Sequence, residues 1–382
     1  MSSNKTKVLL WHWGHRGGGP RYTLELARAL AKRSDIELHL SLSRQSEILP
    51  EFMKLGLPGF HINTYTGKIS ALAGSTRLFG LRTLFANYLI EHKIQVVNCS
   101  MTTLWNLALV PVIRQAGAKY LLTLHDAVLH SGEDQWVRRW LTKQEVEEAD
   151  YIVTLTEFVR RQLLDVYGFP KGKTDVIPHG SFMNGSSPKM ARSYPHDRNF
   201  RLLFFGRILP YKGLDLLVHA FRLLKPDFPD LELTVAGRGK LGSYASAFKE
   251  LGVRIDNRYI PENEILPIFA RADLAILPYT EASQSGVAPL AHAAGVPVVA
   301  TPVGGLKEQV CHNVNGLLTK AISGEAIAES IAAIIRDPVL YERFSRESCR
   351  YALEDLSWAP IGDRFEEIYL RLANTHKSNP NR

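Results

Sequence analysis

Short, nearly continuous apolar runs alternate along this chain with segments whose apolar residues recur every three or four positions, the pattern of buried parallel strands joined by helices. Lys7–Trp11 (KVLLW) reads as a strand, and Tyr22–Lys32, with Leu26, Ala27, Leu30 and Ala31 at helical spacing, as the helix after it. Strands are predicted at Glu37–Ser41, Gln95–Asn98, Tyr120–Leu124, Tyr151–Leu155 and Thr174–Ile177, with helices at Gln45–Leu55 and Ser75–His92 and a Gly/Pro turn between those helices. Pro178–Asn199, rich in Gly, Pro, Ser and Asn, breaks the periodicity and reads as a linker. A second series follows, with strands Arg201–Phe205, Leu231–Ala236, Arg254–Ile255, Leu274–Leu277 and Val296–Thr301 and helices Leu214–Leu224 and Pro289–Ala294. Helices at Ala326–Ile335, Pro338–Leu353 and Trp358–Leu372 precede a frayed tail, His376–Arg382. Two successive βα series predict an α/β protein of two Rossmann-like, doubly wound domains facing across a cleft.

The length of 382 residues supports that division, because a single core stops growing near roughly 250–300 residues. No apolar run reaches the roughly 20 residues of a membrane helix, and Met1–Lys7 lacks the apolar centre of a signal peptide, so a cytoplasmic protein is expected. Cys99, Cys311 and Cys349 are odd in number and far apart, which argues against both a disulfide framework and zinc. The net charge of +8 favours acidic partners. Lys and Arg are spread along the chain without the aromatic interleaving of single-strand binders, so nucleic acid is not expected. In Ser75–His92, Leu78, Phe79, Leu81, Leu84 and Phe85 are interleaved with Arg77 and Arg82. That pattern fits a core-facing helix with a charged rim, and equally one lying on an anionic membrane surface.

Candidate chemistry gathers where strands end, since ligands of open parallel sheets sit at strand carboxyl ends against free helix N–H groups. After the first strand comes GHRGGGP, whose contiguous Gly17, Gly18 and Gly19 would let backbone approach a ligand closely, with His15 and Arg16 beside them either meeting an anion or forming a solvated turn. His125-Asp126 closes a strand and reads as an acid/base or substrate-orienting pair, the Asp fixing the imidazole tautomer. Gly206-Arg207 and Lys212-Gly213 flank one strand-to-helix loop, where two cations suit a diphosphate. Gly237-Arg-Gly239-Lys-Leu-Gly242 matches G-x-G-x-x-G, with Asp256 further on, but does not open its domain. Gly237 and Gly239 are read as making room for a nucleotide without specifying NAD. Glu281, in a run of small polar residues, precedes a helix, a Gly-Val-Pro turn, a strand and the Gly304-Gly305 turn.

Taken together, GRILPYKG, VAG, RADLAILPY and GVPVVATPVGG followed by Glu308 resemble the retaining glycosyltransferases of family 4, of GT-B architecture, from about Val8 to Leu372. The resemblance implies an acceptor-binding domain over residues 1–188, a nucleotide-sugar-binding domain over 189–358, and a last helix, 359–382 with its tail, returning to the first. Carried over by position, Arg207 and Lys212 would hold the donor diphosphate beside Gly206, Gly237 and Gly239. Glu281 would accept from donor-sugar hydroxyls, with the backbone of Gln284, Ser285, Gly286 and Val287 completing that pocket. His125 would contact the sugar near the reaction centre, and Gly17–Gly19 would approach the diphosphate. Tyr259 would face the base, while His15, Arg16 and Asp126 would meet the acceptor. One departure stands out: the family's second acid is replaced by Leu290, so ribose recognition must come from elsewhere, Ser285 or backbone being candidates.

The chain contains no Asp-x-Asp, in keeping with a cofactor-free, metal-independent reaction in which Arg, Lys and helix dipoles replace a cation. The expected donor is a UDP- or GDP-sugar. The expected acceptor is a saccharide or lipid-linked saccharide of envelope polysaccharide assembly, approached by peripheral contact of Ser75–His92 and the Trp136–Trp140 patch with an anionic membrane. Two other classes remain open: an NAD-dependent oxidoreductase, on Gly237–Gly242 alone, and a non-catalytic GT-B scaffold, on the missing acid.

Overall fold

The computed structural model describes residues 5–65, 77–131, 136–182 and 191–377. The chain separates into two compact units, one of Met1–Ala127, Gln135–Pro178 and Trp358–Arg382, the other of Val128–Asp134 and His179–Ser357. Every ladder between the described strands is parallel. The inner strands are therefore buried on both faces, with continuous rather than alternating apolar runs, while the edge strands β3 and β10 are half-buried or exposed.

The first unit runs β1 (Thr6–His12), α1 (Gly18–Leu30), β2 (Ile36–Ser43), α2 (Leu49–Met53), β3 (Gly59–Ile62), α3 (Leu78–Glu91), β4 (Val96–Cys99), α4 (Asn106–Gln115), β5 (Lys119–Leu124), α5 (Trp136–Glu148), β6 (Tyr151–Thr154), α6 (Glu157–Tyr167) and β7 (Thr174–Val176). Its sheet has the order β3-β2-β1-β4-β5-β6-β7, with Val8 paired to Leu38 on one side and Val96 on the other. Trp11 and Trp13 meet edge to face at 5.0 Å in a core shared with Phe85, Leu109 and Leu122.

The second unit runs β8 (Arg201–Phe205), α7 (Leu214–Leu224), β9 (Glu232–Ala236), α8 (Tyr244–Glu250), β10 (Arg254–Asp256), α9 (Glu262–Ala270), β11 (Leu274–Leu277), α10 (Val287–Ala293), β12 (Val298–Ala300), α11 (Leu306–Gln309), β13 (Gly316–Leu318), α12 (Gly324–Arg336) and α13 (Pro338–Glu354). The strand order is β10-β9-β8-β11-β12-β13. Arg192 fastens this unit from beneath, its guanidinium donating to the carbonyls of Phe269 and Ala294, each at 3.0 Å. The final helix, α14 (Trp358–Lys377), belongs to the first unit: Tyr369 OH receives Asn98 Nδ2 at 2.7 Å, and Trp358 lies edge to face with Tyr22 at 5.2 Å.

Several elements depart from the pattern reading. Gly18 and Gly19 form the first turn of α1 rather than a loop. The helix expected at Gln45–Leu55 shrinks to five residues, because Phe52 alone among them is buried and Pro50 stands in its first turn. Gly59–Ile62, to which the pattern assigns no strand, pairs with β2. On α3 only Phe85 and Leu89 are buried, while Phe79, Leu84 and Ile90 are exposed, so the helix is apolar on more than its core face. Ser75 and Thr76 of that expected helix, residues 183–190 of the linker and 378–382 of the tail lie outside the described residues.

Candidate active site

In each sheet the strand order reverses once, between β1 and β4 in the first unit and between β8 and β11 in the second. At such a switch point the loops leaving the two strands diverge to opposite faces and open a crevice at the carboxyl ends. Arg207 and Lys212 follow β8, and Glu281 follows β11, so cations and acid share the second unit's switch point.

Gly213 brings these loops together. It adopts φ +65°, and a Cβ there would lie 1.8 Å from the Pro278 carbonyl oxygen, so no other residue permits the approach. Thr280 N–H donates to the Tyr211 carbonyl at 2.8 Å across the same junction. Lys212 Nζ then sits 3.6 Å from the centroid of the Tyr279 ring and 4.9 Å from that of Tyr211. Ring faces hold the ammonium in place without neutralising it, leaving its charge for a ligand. Arg207 is exposed on the same loop.

Glu281 is held by the segment Val128–Ser131, which belongs to this unit. Ser131 N–H donates to Oε2 at 3.1 Å and Ser131 Oγ–H donates to Oε1. These bonds favour the charged form and keep the carboxyl below its ordinary pKa despite partial burial. His130 Nδ1 lies 3.6 Å from Oε2, and its ring stacks on Tyr211 at 4.6 Å.

The Gln284–Val287 loop is braced rather than free. Ser285 N–H donates to Gln309 Oε1 at 2.7 Å, Gln309 Nε2 returns a bond to the Ser285 carbonyl at 2.9 Å, and Val287 N–H donates to Ser285 Oγ at 3.2 Å. Two of the four expected backbone donors, those of Ser285 and Val287, are thus committed to the fold. His292, fully buried and pushed down to about 4 by desolvation, is a neutral support 3.2 Å from the Gln309 carbonyl. Leu290 is buried on α10.

Two of the other predicted donor glycines lie where neighbouring loops approach closely. A Cβ on Gly237 would lie 2.0 Å from the Gly206 carbonyl oxygen, and one on Gly239 would lie 2.3 Å from that of Ile208. Their open space is filled by the neighbouring loop, with Ile208 N–H donating to the Arg238 carbonyl at 3.0 Å. Gly237 and Gly239 of the G-x-G-x-x-G run therefore permit loop to pack on loop. Tyr259, half-buried, follows the edge strand β10, two strands from the switch point. Beside it Arg258 is spent on Asp256 at 2.8 Å and on Glu264.

At the first unit's switch point the buried histidines are neutral. His125 Nε2–H donates to the Ser100 carbonyl at 2.9 Å, and burial lowers its pKa, with Ser100 and Asp126 opposing that shift. The tautomer is therefore set by Ser100 rather than by Asp126, which acts through its charge. Gly17, at φ +83°, and Gly18 have open space where a Cβ would stand. Gly14 and Gly19 do not: their Cβ positions fall 2.4 Å and 2.9 Å from the ring of His12, a buried imidazole pushed down to about 4 by desolvation. His15 Nε2 lies 2.6 Å from Thr64 Oγ1, and Arg16 is exposed beside it.

Sequence reasoning thus missed His12, His130, Ser131, Tyr211, Tyr279 and Gln309. Tyr211 and Tyr279 adjoin recognised motifs and were legible as neighbours of Lys212 and Glu281. His130, Ser131 and Gln309 act through contacts 153, 150 and 24 residues away, which no local pattern carries.

Residues 187–350 match the model of glycosyl transferases group 1, and residues 17–180 that of the glycosyl transferase 4-like domain. A D-inositol 3-phosphate glycosyltransferase of Pseudarthrobacter chlorophenolicus is 30% identical over 360 residues, covering 85% of this chain and 83% of that protein. One from Thermobispora bispora is 30% identical over 258 residues, 62% of this chain and 60% of that protein, so the match spans less than two thirds of that relative. The crystal structure of Anabaena HepE in complex with UDP shares the fold at a TM-score of 0.71 and 19% identity, covering 95% of this chain and 99% of that one. Two parallel α/β units carrying both domain models, with cations and an acid at the second switch point, place this chain in the glycosyltransferase family of group 1 and 4-like domains, as a transferase of GT-B fold.

Proposed function

We propose that this transferase moves a hexose-type sugar, with retention and without a metal, from a UDP- or GDP-sugar to a saccharide or lipid-linked saccharide in envelope polysaccharide assembly. The observation that carries the donor reading is the junction of the Lys212 and Glu281 loops at one switch point, locked by Gly213 against Pro278. Lys212 and Arg207 supply the charge that a leaving diphosphate needs, and Glu281, kept ionised, accepts from sugar hydroxyls. The glycosidic bond to phosphate breaks as the acceptor oxygen bonds the anomeric carbon on the same face, and the acceptor proton passes to the departing phosphate oxygen. The UDP in the HepE complex and the D-inositol 3-phosphate in the relatives' names support a nucleotide donor and a hydroxylated acceptor.

A lipid-linked acceptor draws its support from the first unit. Phe79 on α3, Trp136 and Trp140 on α5 and Leu104 before α4 are exposed there, with Arg82 on α3, Arg77 at its start, and Arg138 and Arg139 on α5. Both helices, α3 and α5, pack against α4. Among the described residues no helix is long and apolar enough to cross a membrane, so contact would be peripheral. Transfer from UDP- and GDP-sugars with EDTA present tests the donor half, and a dependence of turnover on divalent cation would refute it. Co-sedimentation with anionic vesicles at low salt tests the membrane half, which fails if wild type and Trp136→Ser/Trp140→Ser both stay in solution.

A further inference from the structure

The imidazole of His130 is fixed on every side that can be fixed. Ser283 N–H donates to its Nε2 at 3.3 Å, and Ser283 Oγ lies 3.2 Å from the same atom. A backbone N–H can only donate, so Nε2 accepts and the ring proton sits on Nδ1. That nitrogen is the one 3.6 Å from Glu281 Oε2. The ring face stacks on Tyr211 at 4.6 Å with only 27° between planes, and Tyr211 precedes Lys212. The side chain is 10% exposed, whereas that of Glu281 is 42% exposed. One buried, oriented group therefore touches the acid, the loop that carries it and the loop that carries the cation.

We propose that His130 is a positioning residue for glycosyl transfer. With Ser131 it clamps the carboxylate of Glu281 in the ionised, sugar-facing orientation and keys that acid to the Lys212 loop through Tyr211. A residue present only to fill space at this point would need no polar edge, yet both ring nitrogens face polar groups. Ser131 holds the two carboxylate oxygens with a forked pair of donors, and the Nδ1–H dipole of His130 directs a third toward Oε2. A carboxylate has room for about four donors, so the clamp leaves acceptor capacity for sugar hydroxyls. The inference rests on the reading of Glu281 as the acid that meets the donor sugar.

The test compares His130→Phe, which keeps the stack on Tyr211 and removes both nitrogens, with His130→Asn, whose amide reaches the Nδ1 position, and with Ser131→Ala and Glu281→Gln. Kinetic constants for the nucleotide-sugar and the Kd of the free nucleoside diphosphate are measured for each. A group acting on a charged partner should move kcat/KM for the nucleotide-sugar by roughly tenfold or more in His130→Phe. His130→Asn should recover most of that loss, Ser131→Ala should lose part of it, and nucleoside diphosphate affinity should stay within about twofold of wild type in all of them, since that ligand lacks the sugar. Unchanged kinetics in His130→Phe, with Glu281→Gln impaired, would overturn the clamp while leaving the acid's role intact. Loss of nucleoside diphosphate affinity together with turnover in both His130 variants would also overturn it, by making the residue a general packing element. Unimpaired Glu281→Gln would remove the reading beneath it.

Discussion

The two switch points of this protein share a topology and differ in charge. The one in the second unit carries an ammonium framed by two tyrosine rings and a carboxylate kept ionised by Ser131. The one in the first unit carries His12 and His125, both lowered in pKa by burial and so neutral at physiological pH, above a helix that starts on open glycines. A reversal of strand order supplies a crevice and nothing more. What each crevice can bind depends on whether its side chains keep or lose their charge, and burial decides that. The second crevice keeps charge on its ammonium and carboxylate, and the first loses it on its buried imidazoles.

Removing the cation should break the comparison most strongly. Lys212→Ala should lower kcat/KM by roughly 100- to 1,000-fold, the weight of one preorganised charge at a developing anion. Steady-state kinetics with the nucleotide-sugar check this. Glu281→Gln should raise KM for the nucleotide-sugar by roughly tenfold or more through loss of charged acceptors, while free nucleoside diphosphate binds as before. On the neutral side, His125→Phe should lower transfer by roughly tenfold and leave nucleoside diphosphate affinity unchanged. Equal loss of nucleotide affinity in His125→Phe and Lys212→Ala would erase the distinction between the two crevices.

Bracing sharpens the contrast further. Gln309→Ala strips the reciprocal bonds to Ser285 and leaves a buried N–H unpaired, for a cost of about 1–3 kcal/mol measurable by denaturant unfolding. Gly213 and Gln309 show why the charged loop needs such support, since a carboxylate and an ammonium that are to meet one ligand must be held in register.

A pH-dependent effect, absent at low pH, concerns Glu145, 3% exposed on α5 and pushed up to about 8 by burial, with Thr102 opposing. Below the ordinary carboxylate range both folded and unfolded chains hold this proton, and it contributes no slope. As pH rises toward 8 the unfolded chain releases the proton and the folded one does not, so stability falls, by up to ~1.4 kcal/mol per pH unit for this one group. Glu145→Gln should remove that fall. Melting curves at pH 5 and pH 8 compare the two proteins, and an identical pH dependence would contradict the assignment.

The fold was legible wherever one strand or helix had a distinct period. Arg201–Phe205, Leu214–Leu224 and Leu274–Leu277 agree with the pattern residue for residue, because each is bounded by glycine, proline or charge. Gly59–Ile62 was not, since four half-buried residues at a sheet edge carry no apolar run. Among site residues, Arg207, Lys212, Glu281 and His125 stood out because their motifs lie at strand ends. At Gly237 and Gly239 the sequence marks a close approach without saying what approaches, and the Gly206–Ile208 backbone is one such neighbour. His130 and Gln309 were invisible, because a support residue is defined by what it touches.

Calorimetric titration of wild type and Lys212→Ala with UDP, GDP and NAD, in EDTA, tests the central assignment most directly. The account predicts that one nucleoside diphosphate binds the wild-type protein without metal, that Lys212→Ala binds it at least roughly tenfold more weakly, and that NAD does not bind. Binding of no nucleoside diphosphate, or equal affinity in wild type and Lys212→Ala, would contradict it.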